Sequence, residues 1–422
     1  WFRQHVERNV EDLGRRYTAE LNIELEIADN FAALSRNEKF REILEEKFHE
    51  FAIQINKALD SLSRLDCEGK VDLANAALGQ IIHWASLSQR EEFVTIDTAV
   101  LEEQVHVVEG VLSEYRSYLD KIESEKDSKD SYRHQSPLYE IYEAQHAVSD
   151  FVDFIQSQIL ELANNPALLL VGPAGIGKSH LLADIALNRI KSGKACILLL
   201  GQHFASDDAP WTQILRILLR LNCNEKELLG ALNAKAEAQR ERLLFIIDAV
   251  NEGRGRYFWP DHIRGFIKEF SNYPWLGLVL SIRDSYNDLI VPKEFLEENK
   301  LVKIVHSGFE GIEYQASSFF FAQHRIAMPR VPLLHPEFSN PLFLKLFCEG
   351  LSRSGLHQIP EGYGGITSII DFFLESIDRK LAEPKHFDYP EGRKVIRKVI
   401  DGLIEHKLKD DLGAVSYEDA YD

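Results

Sequence analysis

The sequence is short of methionine, cysteine and positive charge, and each shortage narrows its interpretation. Met328 is the only methionine among 422 residues and the chain starts at Trp1, so we expect an internal piece of a longer protein. The four cysteines lack C-x-x-C spacing, which argues against zinc and disulfides and favours a reducing cytoplasm. A formal net charge of −19 disfavours nonspecific binding to nucleic acid or to an anionic membrane surface.

Long apolar runs are also missing, since none approaches the ~20 residues that span a bilayer. We therefore expect a soluble protein without a membrane segment. A chain of 422 residues exceeds the roughly 250 to 300 residues at which single cores stop growing, so several domains are expected.

The first third of the chain has the pattern of packed helices. Between Asn37 and Leu65, apolar residues recur at helical spacing with Glu and Lys between them. The polar segment Glu123–Pro137 predicts a linker, so we expect a helical domain over residues 1–136.

Short apolar runs alternating with amphipathic helices follow, which is typical of a parallel sheet covered on both faces. This doubly wound α/β core is predicted over residues 137–308, followed by a helical lid at 309–360 and a truncated, winged-helix-like region at 361–422. The predicted strands are Ala167–Val171, Ala195–Leu200, Leu244–Asp248, Gly277–Ser281 and Leu301–Val305.

A phosphate-binding motif follows the first predicted strand. The pattern G-x-x-x-x-G-K-S lies between a buried strand and an amphipathic helix, which is the context that a P-loop requires. Its main-chain amides and the helix N-terminus would surround phosphate oxygens, Lys178 would bridge the β- and γ-phosphates, and Ser179 would ligate Mg²⁺. The predicted nucleotide-binding residues here are Gly172, Pro173, Ala174, Gly175, Ile176, Gly177, Lys178, Ser179 and His180. The alternative is an ordinary glycine-rich turn.

The third predicted strand delivers a second set of functional groups. Asp248 ends the apolar run of "LLFIIDAVNE" and could hold Mg²⁺ at the carboxyl edge of the sheet. Glu252 could then activate an attacking water, and Asn251 could orient that water. The alternative for both residues is a solvated turn.

A basic residue ends the fourth predicted strand. In "LGLVLSIRD", Ser281 and Arg283 should reach the same edge of the sheet, where the guanidinium group could detect a γ-phosphate. The alternative is a salt bridge to Asp284 or Asp288.

These residues together resemble the NACHT-like branch of the STAND signalling NTPases. The resemblance to prokaryotic antiviral STAND proteins is closer, and Asn251 departs from the animal NACHT pattern, which has an acidic residue there. It is carried by "LGRRYTAELNIELEI", "LLLGQHF", "APWTQIL", "IIDAVNEGRG", "LVLSIRDSY", "VHSGFEGIEYQA" and "PLLHPEFSNPLFLKLFCEGL".

The resemblance implies that ATP with Mg²⁺, and ADP at rest, bind to this core, and that Pro341 packs against the adenine. Proline in the first turn of a helix is the plain alternative. The family also has a histidine that contacts ADP. For His306, a structural role is a better fit than contact with ADP.

The resemblance further implies a signalling switch with slow ATP turnover. Recognition of a viral terminase or portal protein by C-terminal repeats would favour the ATP-bound open form. That form would assemble into homo-tetramers and activate an N-terminal effector, often a DNA nuclease, and DNA would be contacted only through this effector.

The alternative is an AAA+-like remodeller that uses continuous hydrolysis to move DNA or protein. It needs an aromatic pore loop, for which "RGRYFWP", Arg254–Pro260, is the candidate. A purely structural scaffold is disfavoured because Lys178, Ser179, Asp248 and Glu252 are all present.

Overall fold

The computed structural model describes most of the chain. The described residues are 1–23, 25–63, 68–88, 95–125, 132–298, 300–329, 336–353, 355–359, 366–384 and 386–410. Parts of the predicted linker, of the predicted lid and of the C-terminal region lie outside them. No helix among these residues is long and apolar enough to cross a bilayer.

Contacts between Cα atoms divide the chain into two compact units. The first unit comprises Trp1–Tyr17, Glu24–Pro173 and Lys178–His306, and the second comprises Thr18–Ile23, Ala174–Gly177 and Ser307–Asp422. The second unit begins close to the predicted boundary at residue 308, whereas the predicted boundary at residue 136 lies inside the first unit.

A parallel five-stranded sheet forms the centre of the first unit. Its strands are β1 Ala167–Gly172, β2 Cys196–Leu200, β3 Leu243–Asp248, β4 Leu276–Arg283 and β5 Val302–Val305. Their order in the sheet is β2-β3-β4-β1-β5, and every pair is parallel. All five predicted strands are therefore confirmed, with ends that differ by at most two residues.

Thirteen helices of the first unit surround this sheet in the described part of the chain. They are α1 Phe2–Leu13, α2 Ile27–Ser35, α3 Glu38–Ser63, α4 Glu68–Ser88, α5 Thr98–Glu125, α6 Tyr132–Ile155, α7 Gln158–Asn164, α8 Lys178–Lys191, α9 Pro210–Thr212, α10 Glu225–Gln239, α11 Gly255–Phe270, α12 Asp284–Ile290 and α13 Lys293–Glu297.

Each face of the sheet is buried in a separate hydrophobic cluster. Alternate residues of β1 show this, because Leu168 and Leu170 pack with the N-terminal helices while Leu169 and Val171 pack with residues of α10 and α11. Both faces are therefore apolar, which explains the continuous hydrophobic runs of the strands.

The N-terminal helices share one core with the sheet. The ring of Phe151 on α6 stacks on Phe51 of α3 with 4.4 Å between centroids, and both belong to the cluster that contains Leu168 of β1. This shared core is the reason that no separate compact unit ends at residue 136. Both ends of the predicted linker Glu123–Pro137 are helical, because α5 runs to Glu125 and α6 starts at Tyr132.

A buried arginine just before β3 donates hydrogen bonds to the ends of two helices. Arg242, at 1% exposure, donates to the carbonyls of Leu34, Ala163 and Pro274 at 3.2, 2.8 and 2.9 Å. Leu34 lies in the last turn of α2 and Ala163 in that of α7, where carbonyls lack partners inside the helix. Arg242 therefore satisfies the buried carbonyls of Leu34 and Pro274, and it shares the Ala163 carbonyl with Arg36, whose Nε donates to it at 2.9 Å.

The second unit is helical where it is described. It contains α14 Glu313–Gln323, α15 Pro341–Arg353, α16 Ile366–Ala382 and α17 Val395–Asp410. Phe321 of α14 and Phe347 of α15 are both buried, with 6.2 Å between ring centroids. The boundary predicted between residues 360 and 361 falls on residues outside those described, and the winged-helix assignment stays a prediction.

Candidate nucleotide site

The predicted site residues of the first unit meet at the carboxyl edge of the sheet. β4 lies between β1 and β3, with Gly172 of β1 opposite Arg283 and Ile247 of β3 opposite Leu280. The strand that carries Ser281 and Arg283 therefore separates the end of β1 from Asp248, and all three strand ends face the same edge.

Asp248 is the most deeply buried carboxylate of this edge. Its side chain is 2% exposed, and Oδ1 accepts a hydrogen bond from the Ser281 hydroxyl at 2.6 Å. The Ser179 hydroxyl also interacts with this carboxylate and lowers its pKa. Burial raises the pKa of Asp248, while these two hydroxyl groups and, more weakly, Arg16 oppose the rise. The two predicted Mg²⁺ ligands thus lie close enough to interact.

The chain turns sharply after Asp248. Ala249 has φ of +55°, in the left-handed region that disfavours residues with a side chain. Its N–H donates to the Ser281 hydroxyl at 2.7 Å, and the next N–H, of Val250, donates to the Ser281 carbonyl at 2.9 Å. Ser281 therefore fixes both the buried carboxylate and the strained turn that follows it.

The turn at Ala249 packs closely against Gly201, the residue that follows β2. A Cβ atom on Gly201 would meet the Ala249 carbonyl oxygen at 1.9 Å, which no side chain could tolerate. The glycine in "LLLGQHF" is therefore explained by the close approach of two main chains at the edge of the sheet.

The loop between β1 and α8 has the backbone that its glycines predict. Gly175 and Gly177 have φ of +79° and +106°, and α8 begins directly at Lys178. Lys178 is 8% exposed. Its ammonium group donates to the carbonyls of Gly172 and Pro173 at 2.5 and 2.9 Å. Burial lowers the pKa of Lys178, and Asp248 raises it. Two of the three ammonium N–H bonds are used by the loop itself.

Glu252 lies between two guanidinium groups. Its Oε2 accepts from Arg16 at 2.8 Å and its Oε1 accepts from Arg283 at 3.3 Å, and its side chain is 15% exposed. Arg283 therefore pairs with the predicted general base, rather than with Asp284 or Asp288 as the plain alternative had it. Arg16 was not predicted as a site residue, because 236 positions separate it from Glu252.

Asn251 supports the end of β4. Its side-chain oxygen accepts from the Arg283 main-chain N–H at 3.1 Å, and the residue is 6% exposed. This bond holds the strand end that carries Arg283. The role of Asn251 in orienting water stays a prediction.

Two histidines lie near the start of α8. The His180 ring contacts the Tyr17 ring with 4.9 Å between centroids. His306 follows β5 and is 2% exposed, and its main-chain N–H donates to Val171 at 2.8 Å. Burial lowers the pKa of His306 to about 4, with smaller contributions from Lys178 and His180. His306 is thus a buried, neutral imidazole close to the lysine of the loop.

A cleft opens beside Glu252 at the surface of the first unit. Polar and charged side chains line it: Gln202, Asn251, Glu252, Arg256, Arg283 and Tyr286. It would let solvent reach the carboxylate that was predicted to activate water.

The candidate pore loop is not a loop. Gly255–Phe270 is helix α11, and Phe258 and Trp259 are buried at 5% and 0% exposure in the core beneath the sheet. Tyr257 alone of these aromatics is exposed, at 54%. The aromatic pattern of "RGRYFWP" therefore reflects helix packing.

In the second unit, Pro341 occupies the first turn of α15, as the plain alternative predicts. The Asn340 side chain caps this helix by accepting from the N–H groups of Leu342 and Phe343 at 3.0 and 3.1 Å. The N–H of Leu342 also donates to the Gly175 carbonyl at 3.3 Å. The glycine-rich segment Ala174–Gly177 therefore lies against the start of α15 within this unit.

Comparison of the whole chain with protein-family models gives no match, and comparison with curated proteins gives no significant match.

Proposed function

We propose that this chain is a P-loop NTPase that binds ATP with Mg²⁺ at the carboxyl edge of its parallel sheet. The observation that carries the proposal is that the buried Asp248 carboxylate, held by Ser281, interacts with both the Ser179 hydroxyl and the Lys178 ammonium group. A hydroxyl and a carboxylate are hard oxygen ligands of the kind that Mg²⁺ takes together with substrate phosphates.

The residues of the loop fit a polyphosphate. Positive φ at Gly175 and Gly177 supports a run of main-chain N–H groups that turn toward an anion, and α8 adds the positive end of its dipole. Phosphate oxygens would replace the Gly172 and Pro173 carbonyls as acceptors for Lys178. Their charge would also favour the protonated amine against the effect of burial.

The proposed reaction is hydrolysis of the γ-phosphate. Glu252 accepts the proton of a water that attacks the γ-phosphorus, and the bond from phosphorus to the β-phosphate oxygen breaks, giving ADP and phosphate. Magnesium would supply charge neutralisation for the phosphates when it is bound. Asp248 and Ser179 would hold the metal, and Lys178 would orient the substrate.

Arg283 would make the site sensitive to the γ-phosphate. The Arg283 side chain is 43% exposed, and its guanidinium group pairs with Glu252 at 3.3 Å. This ion pair is long and exposed enough for the guanidinium group to exchange Glu252 for another acceptor. A γ-phosphate offers a stronger acceptor, and a contact made only with ATP biases a two-state equilibrium.

We further propose, from the sequence resemblance to antiviral STAND proteins, that this bias serves signalling. ATP binding would favour an open form that assembles into a homo-oligomer after a viral protein is recognised, with slow turnover. The adenine contact of Pro341 and the ADP-bound resting state belong to the same proposal.

The test is the Lys178→Ala variant in a binding titration with Mg·ATP. Hydrogen bonds to charged groups are worth about 1.5–3 kcal/mol, so we expect affinity to fall by about 10- to 150-fold. Lys191→Ala is the matched control, because Lys191 is an exposed lysine on the same helix. Unchanged affinity in the Lys178 variant, with wild-type folding, would refute the assignment of the loop.

Hydrolysis rates measured on the same protein distinguish a nucleotide switch from a remodeller that hydrolyses ATP continuously. Steady-state hydrolysis should be slow and insensitive to DNA if the nucleotide acts as a switch. Rapid turnover that DNA stimulates would favour the remodeller.

A further inference from the structure

The N-terminal segment Trp1–Tyr17 reaches the catalytic edge of the sheet through one side chain. Helix α1 packs against β2 and α8, and the short 3₁₀ turn Gly14–Arg16 follows it directly. Arg16, the last residue of this turn, donates to Glu252 Oε2 at 2.8 Å. The segment thus contacts the residue that is proposed to activate water.

With Arg16 in place, both oxygens of the Glu252 carboxylate are engaged. Oε1 accepts from Arg283 at 3.3 Å, so the carboxylate bridges two guanidinium groups. A general base needs an oxygen lone pair aimed at the attacking water, and an ion pair at that oxygen competes with the water for it. The closer of the two arginines, Arg16, is therefore the stronger competitor.

We infer that Arg16 is a positioning residue that restrains Glu252 and slows hydrolysis for as long as the N-terminal segment remains docked. This inference rests on the proposed function, since it requires Glu252 to be the base of the ATPase reaction. It assigns to the segment Trp1–Tyr17 the regulation of turnover at the site.

A second contact connects the same segment to the loop. The Tyr17 hydroxyl donates to Asp184 Oδ1 at 3.4 Å, and the Tyr17 ring lies against His180. Both partners are on α8, the helix that begins at Lys178. A displacement of α8 would therefore move Tyr17 and, through the chain, its neighbour Arg16.

The exposure of the pair fits a contact that opens and closes. The Arg16 side chain is 45% exposed, whereas Glu252 is 15% exposed, so the arginine can leave into solvent while the carboxylate stays in the site. Pairs with this much exposure are worth at most about 1 kcal/mol, which corresponds to a factor of about five in rate. We therefore expect Arg16 to slow hydrolysis moderately and not to prevent it.

The test is single-turnover and steady-state hydrolysis by Arg16→Ala with saturating Mg·ATP. We expect kcat to rise about fivefold with KM and nucleotide affinity unchanged, because Arg16 acts on the base and not on the phosphates. Arg16→Lys should restore most of the restraint, since an ammonium group can still pair with the carboxylate. Arg3→Ala, which removes an exposed arginine from α1, should leave kcat unchanged.

Two further variants make the outcome unambiguous. Glu252→Gln should bind Mg·ATP but hydrolyse it at least 100-fold more slowly, as expected from the ~10²–10⁴-fold contribution of a general base. Adding Arg16→Ala to Glu252→Gln should then give no increase. A merely structural role of Arg16 would lower the melting temperature and kcat together, and would not raise kcat.

The results separate the two levels of the proposal. If the wild-type chain does not bind Mg·ATP, the proposed function fails. If it binds and hydrolyses ATP, but Arg16→Ala has an unchanged or lower kcat, or still raises kcat in the Glu252→Gln background, the restraint by Arg16 is refuted while nucleotide binding stands.

Discussion

Replacement of Asp248 by asparagine should stabilise the nucleotide-free protein at neutral pH. The carboxylate is 2% exposed, and burial is the largest influence on its pKa, which it raises. The hydroxyl groups of Ser179 and Ser281 compensate in part. A charged Asp248 is therefore a cost to the folded state that the isosteric amide does not carry.

The amide can keep the existing hydrogen bonds. Its oxygen can accept from Ser281, which now donates to Oδ1 at 2.6 Å, and its nitrogen can donate to the Ser179 oxygen. No cavity is created, and Lys178, although it loses the favourable charge of Asp248, keeps its bonds to the Gly172 and Pro173 carbonyls. We therefore expect a gain of about 0.5–2 kcal/mol, the range that single stabilising substitutions commonly give.

The gain should depend on pH in a defined direction. Because the folded pKa of Asp248 lies above the unfolded value, the folded state binds more protons between the two values. Stability of the wild type consequently falls as pH rises through this window. The advantage of Asp248→Asn should be largest at pH 7 and should shrink as the pH is lowered and the native carboxyl group becomes protonated.

Urea denaturation followed by tryptophan fluorescence measures this difference. All five tryptophans lie in the first unit, so the signal reports unfolding of the unit that contains Asp248. Asp261→Asn, at an exposed position on α11, controls for the loss of one negative charge from a chain of net charge −19. A less stable Asp248→Asn protein at pH 7, or a gain equal to that of the control, would refute the reasoning.

Ligand addition should reverse the order of stability. A ligand at 100 times its Kd stabilises a protein by about 2.7 kcal/mol, which exceeds the gain expected from the substitution. With Mg·ATP present, wild type should therefore be the more stable protein, because Asp248→Asn lacks the metal-binding carboxylate. The same experiment with EDTA should restore the original order.

Two other substitutions test separate parts of the structure. Arg283→Ala should weaken binding of ATP by about 10-fold and leave ADP binding unchanged, because only ATP offers the γ-phosphate, and competition titrations would detect the difference. Arg242→Met should destabilise the first unit by about 1–3 kcal/mol in a denaturant titration, since it leaves the carbonyls of Leu34 and Pro274 without their donor and removes one of two donors to the Ala163 carbonyl. Equal loss of ATP and ADP affinity, or wild-type stability, would contradict these two predictions respectively.

The strands could be predicted from the sequence because both faces of the sheet are covered. Strands β1 to β4 are then nearly continuous apolar runs, whereas β5 alternates buried and exposed residues; Asp248 and Arg283 mark the ends of two of them. Their common edge follows from parallel pairing alone. The placement of β4 between β1 and β3 could not be predicted, because the order of strands depends on crossover connections that leave no local signal.

The boundary predicted at residue 136 does not coincide with the end of a compact unit. The polar stretch at Glu123–Pro137 has the composition of a linker, yet α6 starts at Tyr132 and carries Phe151 into the shared core. Tertiary packing of the apolar part of a helix can extend it into a polar flank. Composition alone therefore located a change of pattern but not a boundary between compact units.

Unfavourable local features concentrate where function is proposed. Within five residues, the chain places a buried carboxylate at Asp248, a left-handed non-glycine residue at Ala249 and a carboxylate held by two arginines at Glu252. A sequence selected only for stability would replace the first two of these features, since a buried carboxylate and a left-handed alanine each cost free energy that neighbouring groups such as Ser281 only partly offset. Their coincidence beside Lys178 and Ser179 is what a binding site for a charged ligand requires, because the ligand supplies the charges that the unliganded fold lacks.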